Sequence, residues 1–190
     1  MLEIEEIKNR VKAKLSEKRF AHTMGVADEA KRLAAKWSIN EDSAYLAGLV
    51  HDYAKEIPVS HAIEMLDSFG FHVDEDLMQC PALLHGPLAA FLVEREFGIQ
   101  DRDILNAVTY HTTGRCNMST LEKIIYLADF IEPHRSFDGV EIVRKLAYIN
   151  LDNAVLCEAN MVIVFNIEKN VFLHNDTVKA RNWLLSHVSN

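Results

Sequence analysis

Apolar side chains recur along most of this chain at intervals of three and four, the spacing that lines up one face of an α-helix. Leu2, Ile7, Val11 and Leu15 predict a first helix. Ser16 is a cap candidate for a second, from about Arg19 to Trp37, with Phe20, Val26, Ala30, Leu33 and Trp37 on one stripe. Asn40 followed by Glu41 and Asp42 reads as a helix start, with acids at the positive end of the dipole, and Pro58 as the stop of that element. A helix from about Ser60 to Phe69 stops at Gly70, and residues 71–81 read as loop or weak helix. Pro87 suits a first helical position and Gly98 a helix end, which puts His85 at a junction. Asp101 can cap a helix that delivers His111 near its end, and Ser119 with Glu122 forms a capping box for a helix closed by Pro133. Asp138 and Asn150 are further cap candidates, ahead of an apolar helix from about Leu151 to Ile167 and a last one near Thr177 to Val188. No alternating strand, repeat or low-complexity linker interrupts the pattern, so the expected fold class is all-α.

Composition narrows this further. A chain of 190 residues is the size of one ordinary domain and buries roughly two-thirds of its unfolded surface. Hydrophobic residues make up 49% and charged residues 25%, with only seven Gly and four Pro, which suits a helical globule. The expected organisation is a single domain over 1–190, with a functional core at about 18–135 and C-terminal helices at about 139–188. A formal charge of -8 argues against a nucleic-acid polymer as partner, because polyanion affinity comes from clustered Lys and Arg. The acidic start and the lack of a long apolar run argue against a leader or a membrane span, so the expected location is the cytoplasm. Cys80, Cys116 and Cys157 are odd in number and far apart, and read as reduced thiols.

One stretch resists the bland reading. In AGLVHDYAK, residues 47–55, His51 and Asp52 sit side by side in an apolar helix. Taking both out of water costs several kcal/mol in rough terms unless each finds a partner. His22, His85 and His111 also lie on apolar stripes or at helix junctions, and Asp129 falls among core positions. Each alone is more often a satisfied core residue. Together, six nitrogen and oxygen donors from apolar segments are most simply satisfied by divalent cations. Neighbouring helical residues point about 100° apart, so His51 and Asp52 would straddle an ion beside their helix, and Asp52, with two oxygens, can join two ions. Lys55 lies on the same side and can reach an anion held there. Arg115, Lys123, Arg135 and Arg181 are further phosphate candidates, whereas His61, His72, His134, His174 and His187 read as exposed.

These residues resemble the HD-domain metal-dependent phosphohydrolases, a helical superfamily marked by a His, a His-Asp pair and a later Asp. KRFAHTMGV at 18–26, AGLVHDYAK at 47–55, LLHGPLAA at 83–90, YHTTGR at 110–115 and the run from Met118 to Arg135 resemble its YqeK group, bacterial symmetrical diadenosine tetraphosphate hydrolases. ARNWL at 180–184 extends the likeness over nearly the whole chain. The resemblance implies a helical bundle of the HD type, with one iron on His22, His51, Asp52 and Asp129 and a second on Asp52, His85 and His111. It also implies substrate contacts at Lys55, Thr112, Thr113, Gly114, Arg115 and Arg135, with Asp52 and Lys55 at the reaction centre. Manganese, cobalt or zinc would suit the same donors. Two cations bridged by Asp52 would lower the pKa of a shared water toward neutrality and offset charge on phosphorus during in-line attack. The implied reaction is hydrolysis of diadenosine tetraphosphate to two ADP; the cleavage position rests on the resemblance alone. The rivals are an HD-type nucleotidase or triphosphohydrolase acting on mononucleotides and a non-catalytic helical signalling module. A homodimer is left open.

Overall fold

The computed structural model describes residues 2–187, and helices dominate them. In chain order they are α1 (Ile4–Lys14), α2 (Glu17–Lys36), α3 (Glu41–Val50), α4 (Val59–Ser68), α5 (Glu75–Gln79), α6 (His85–Phe97), α7 (Arg102–Tyr110), α8 (Thr120–Ile131), α9 (Val140–Ala147), α10 (Leu151–Glu168) and α11 (Asn175–His187). A 3-10 turn, Pro81–Leu83, leads into α6. No strand occurs among the described residues, as the periodicity predicts. Val188, the expected last helical residue, lies outside them.

Local chemistry sets most of the boundaries. The side chains of Ser16, Asn40, Asp101 and Asn150 accept backbone N–H bonds from the first turns of α2, α3, α7 and α10. Ser119 and Glu122 form a complete capping box at α8. Each cap satisfies a donor that the helix cannot, worth about 1 kcal/mol. Gly98, at φ 70°, closes α6 in the left-handed conformation.

Four boundaries differ from expectation. Asp138 does not cap α9; Gly139, at φ 90°, stands there instead. α6 begins at His85, so Pro87 is its third residue, where the missing N–H costs nothing. α11 begins at Asn175, and His174, expected to be exposed, is buried with Nδ1 accepting from the Asp176 N–H. The fourth matters most: α3 stops at Val50, so His51 and Asp52 lie in a run of turns rather than within a helix. The reason is local. The Gly48 carbonyl, which one more helical step would offer to the Asp52 N–H, instead accepts from His51 Nδ1 at 2.7 Å. Bonds of the i to i−3 type then tighten the chain, from Tyr53 to Val50, Lys55 to Asp52 and Ile57 to Ala54.

α2 and α3 approach closely at Gly48, where a Cβ would stand 2.8 Å from the Ala27 Cα. Fully buried Leu33, Leu49, Leu88, Ile124 and Leu127 fill the space between the central helices, each worth roughly 1.5–3 kcal/mol by burial. α2, α3, α7 and α8 pack around one another, and the polar residues of interest lie on or beside these helices. No helix among the described residues is long and apolar enough to cross a membrane.

Candidate metal centre

Three of the four central histidines follow one local design. His51 ends α3, His111 ends α7 and His85 opens α6, and each ring turns back on the chain three residues before it. Nδ1 donates to the Gly48 carbonyl at 2.7 Å in His51, to Val108 at 2.7 Å in His111, and to Ala82 at 2.5 Å in His85. A carbonyl oxygen only accepts, so Nδ1 carries the proton and Nε2 keeps its lone pair. His22, on α2, reaches the same state through Glu132, whose Oε1 lies 3.2 Å from its Nδ1. Four lone pairs thus point toward one centre, each ring held by an outer partner, as in metal-ligating histidines.

Asp52 stands between them with its oxygens divided. Oδ2 lies 3.4 Å from His51 Nε2 and 3.8 Å from His22 Nε2. Oδ1 lies 3.3 Å from His85 Nε2 and 3.7 Å from His111 Nε2. Asp129, from α8, places Oδ1 3.0 Å from His22 Nε2. Potential ligand atoms of His22, His51 and Asp129, and of His51, Asp52 and His111, lie within 4.8 Å of one another in each group. The buried atoms His22 Nε2, His51 Nε2 and Asp52 Oδ1 have no hydrogen-bond partner among the described residues. Orphaned acceptors of this kind are costly unless a cation completes them. The donor set, imidazole and carboxylate, fits a divalent metal ion. The six expected ligand residues are therefore brought together, with Asp52 among the four histidines and Asp129 beside His22.

Burial pushes the Asp52 carboxyl up, but His51, His111 and His85 together hold it well below the usual carboxylate range. Asp129 is likewise held down, chiefly by His22, against its own burial. Burial, with His111 and Lys55 alongside, drives His85 down to about 4, so its ring is neutral at pH 7. Burial also lowers Lys55.

The expected substrate residues separate into two sets. Lys55 Nζ lies 3.2 Å from His85 Nε2 and 4.0 Å from Asp52 Oδ1, at the centre itself. Thr112 Oγ1 lies 3.5 Å from His85 Nε2. Arg135 is at the centre too, with Nη2 2.7 Å from Asp129 Oδ1. Arg115, by contrast, is committed to Glu122, with Nη2 2.9 Å from Oε2. Thr113 is buried and donates to the Gly114 carbonyl. A Cβ on Gly114 would meet Ala180 and Met118, so this part of the loop packs against α11 and the core. Lys123 pairs with Asp152, and Arg181 donates to Asn160.

Two residues of the site escaped the sequence reading. Arg19 Nη1 donates to Asp52 Oδ2 at 2.9 Å, three residues before His22 in KRFAHTMGV. Glu132 is almost fully buried and holds both His22 and the His134 N–H, bonds that keep its carboxyl low despite burial. Gly25 makes room for it: a Cβ there would stand 2.6 Å from Glu132 Oε2. A glycine inside an amphipathic helix, where it costs about 1 kcal/mol, was the signal available.

A cavity of about 740 Å3 opens beside the centre. His111, Thr112, Asp129 and Arg135 line it together with side chains of α8, α10 and the segment between α8 and α9.

Known proteins place this arrangement in context. The HD domain family profile matches residues 19–133. A Bacillus subtilis protein named bis(5'-nucleosyl)-tetraphosphatase, symmetrical, is 42% identical over 93% of this chain and 94% of its own length. A Staphylococcus aureus protein of the same name is 35% identical over 96% and 94%. A solved Clostridium acetobutylicum structure, described as a predicted HD superfamily hydrolase involved in NAD metabolism, superposes with a TM-score of 0.97 at 43% identity, covering 99% of this chain and 100% of that one.

Proposed function

The chain belongs to the HD-domain family, and from that premise we propose that it is a symmetrical bis(5'-nucleosyl)-tetraphosphatase, hydrolysing diadenosine tetraphosphate at the central anhydride to two ADP. Near-full-length relatives carrying that name support the reaction. The observation that carries the site is the division of Asp52, one oxygen toward His22 and His51 and the other toward His85 and His111.

On this reading His22, His51, Asp52 and Asp129 would hold one divalent ion, and Asp52, His85 and His111 would hold a second. Iron is the proposed metal, on the resemblance to the YqeK group; manganese, cobalt and zinc share its ligand preferences. When bound, such ions supply Lewis acidity toward a phosphate oxygen and lower the pKa of a coordinated water.

The chain's own residues supply the rest. Asp52 fixes the separation of the two positions, because both its oxygens are engaged. Glu132 and the carbonyls of Gly48, Ala82 and Val108 hold the imidazoles in the tautomer that presents Nε2. Lys55 is the local attractor for a polyphosphate on a protein of net charge -8; its partly desolvated ammonium can bind a phosphate oxygen more strongly than a solvated one would. Arg135, beside Asp129, and the Thr112 hydroxyl are placed to orient the same chain of phosphates. Arg115, Thr113 and Gly114 serve by shaping the loop that carries Thr112. The cytoplasm is the proposed compartment, which suits three unpaired cysteines.

The test is product identity. Anaerobically purified protein is incubated with diadenosine tetraphosphate, and ADP as sole product is expected. AMP with ATP would mean asymmetric cleavage, and turnover of nucleoside triphosphates alone would favour the mononucleotide rival.

A further inference from the structure

The cavity beside the metal centre contains a buried acid that the reaction leaves unused. Glu158, on α10, forms part of its wall and is almost completely buried, and its Oε2 has no hydrogen-bond partner among the described residues. The wall joins polar Asp138, Asn160 and Glu168 to a larger set of apolar and aromatic side chains. Phe130 and Phe137 stand edge to face with centroids 4.8 Å apart, and Met161 and Phe165 come from α10. Phe165 is 57% exposed and Phe137 40%, large apolar surfaces that a flat ligand would cover. Asp129 and Arg135 line the same cavity, so a ligand with phosphates at the centre would lay its base against the wall that Glu158 shares. The volume, about 740 Å3, falls within the range of small-molecule sites.

We propose that this cavity receives the adenine of one nucleoside half and that Glu158 is a specificity-determining residue, accepting a hydrogen bond from the 6-amino group. The assignment rests on the reading of the substrate as a diadenosine polyphosphate. A buried acceptor without a protein partner is satisfied only when a ligand brings the donor, and a base lacking that donor leaves it bare. Burial, aided by Asp129, also holds the Glu158 carboxyl well above the usual range. The protonated form, which that burial favours, presents a carbonyl and an O–H together, the complement of adenine's 6-amino group and N1.

The experiment measures binding rather than turnover, and so separates this contact from the reaction. Metal-loaded wild type, Glu158→Leu and Glu158→Gln are titrated calorimetrically with ADP and with purine riboside 5'-diphosphate, which lacks only the 6-amino group. Wild type is expected to favour ADP about tenfold. Glu158→Leu should bring that ratio to within about twofold, while Glu158→Gln, whose amide oxygen still accepts, should retain it. A purely structural role would weaken both ligands alike and leave the ratio standing. An unchanged ratio in Glu158→Leu, equal affinities in wild type, or no ADP binding at all overturns the inference. If the leucine variant does not fold, Glu158→Met gives the same comparison. Hydrolysis of diadenosine tetraphosphate by wild type is scored separately: a failure there with the ADP preference intact overturns the reaction and leaves the base contact standing.

Discussion

The Nε2 atoms of His85 and His111 face each other across 3.0 Å, and each ring donates its Nδ1 proton to a backbone carbonyl. With Nδ1 the donor in each ring, both facing atoms are left as acceptors, and Asp52 Oδ1 adds a third acceptor 3.3 Å from one and 3.7 Å from the other. Three converging lone pairs repel unless something positive stands among them. The backbone has therefore set up a cation site before any ion arrives, and Lys55 Nζ, 3.2 Å from His85 Nε2, is a positive charge the chain itself brings to it.

A bridge and an end ligand should fail differently. Asp52→Ala should remove both ions and abolish turnover, whereas His111→Ala should cost about one ion per chain. Element analysis after anaerobic purification checks this; a full metal complement in Asp52→Ala would contradict the bridge.

Lys55 carries no ligand role on this account, so Lys55→Ala should keep its metals while losing roughly 100-fold in kcat/KM, the scale of one lost charge-stabilising donor. Steady-state kinetics beside metal analysis decides it. Wild-type rates would make Lys55 an ordinary partly buried lysine.

Glu132 acts through His22. Glu132→Ala frees the His22 ring and strips a partner from the His134 N–H, and should weaken metal retention about 10- to 100-fold, as the loss of outer-shell partners does. Chelator competition reads the affinity directly. Unaltered retention would return Glu132 to a structural acid.

The metal-free protein should show an acid limb set by His85. Its folded-state pKa is depressed, to about 4, against about 6.5 when unfolded. Between those values the unfolded chain binds more protons, so stability rises with pH across that window and falls as acid is added, by up to about 1.4 kcal/mol per pH unit. Asp52 and Asp129, also depressed, add their losses below about pH 4. His51 is raised, because neighbouring carboxylates outweigh its burial, and contributes the opposite slope above pH 6.5. Urea denaturation of chelated protein at stepped pH should therefore show a fall from about 6.5 to 4, less steep in His85→Gln. A flat profile would mean that His85 is not buried neutral.

Helix class, most helix starts and the identities of the six centre residues were all legible along the chain, because caps and hydrophobic stripes act within a turn or two. Ser16, Asn40, Asp101, Ser119 and Asn150 cap where their neighbours allow, and the four central histidines declare themselves by apolar flanks, which buried His174 does not. Contacts across long stretches of chain were not legible. His22 meets Glu132 over 110 positions, and Arg19 meets Asp52 over 33. Arg115 looked free in sequence and is taken by Glu122, while His51 turns out of its helix because its own ring captures the Gly48 carbonyl. Local spacing could nominate the donors of a cation site, but not divide the two oxygens of Asp52 or leave Glu158 without a partner. Those outcomes depend on which surfaces the packed helices press together, and no short window of sequence contains that information.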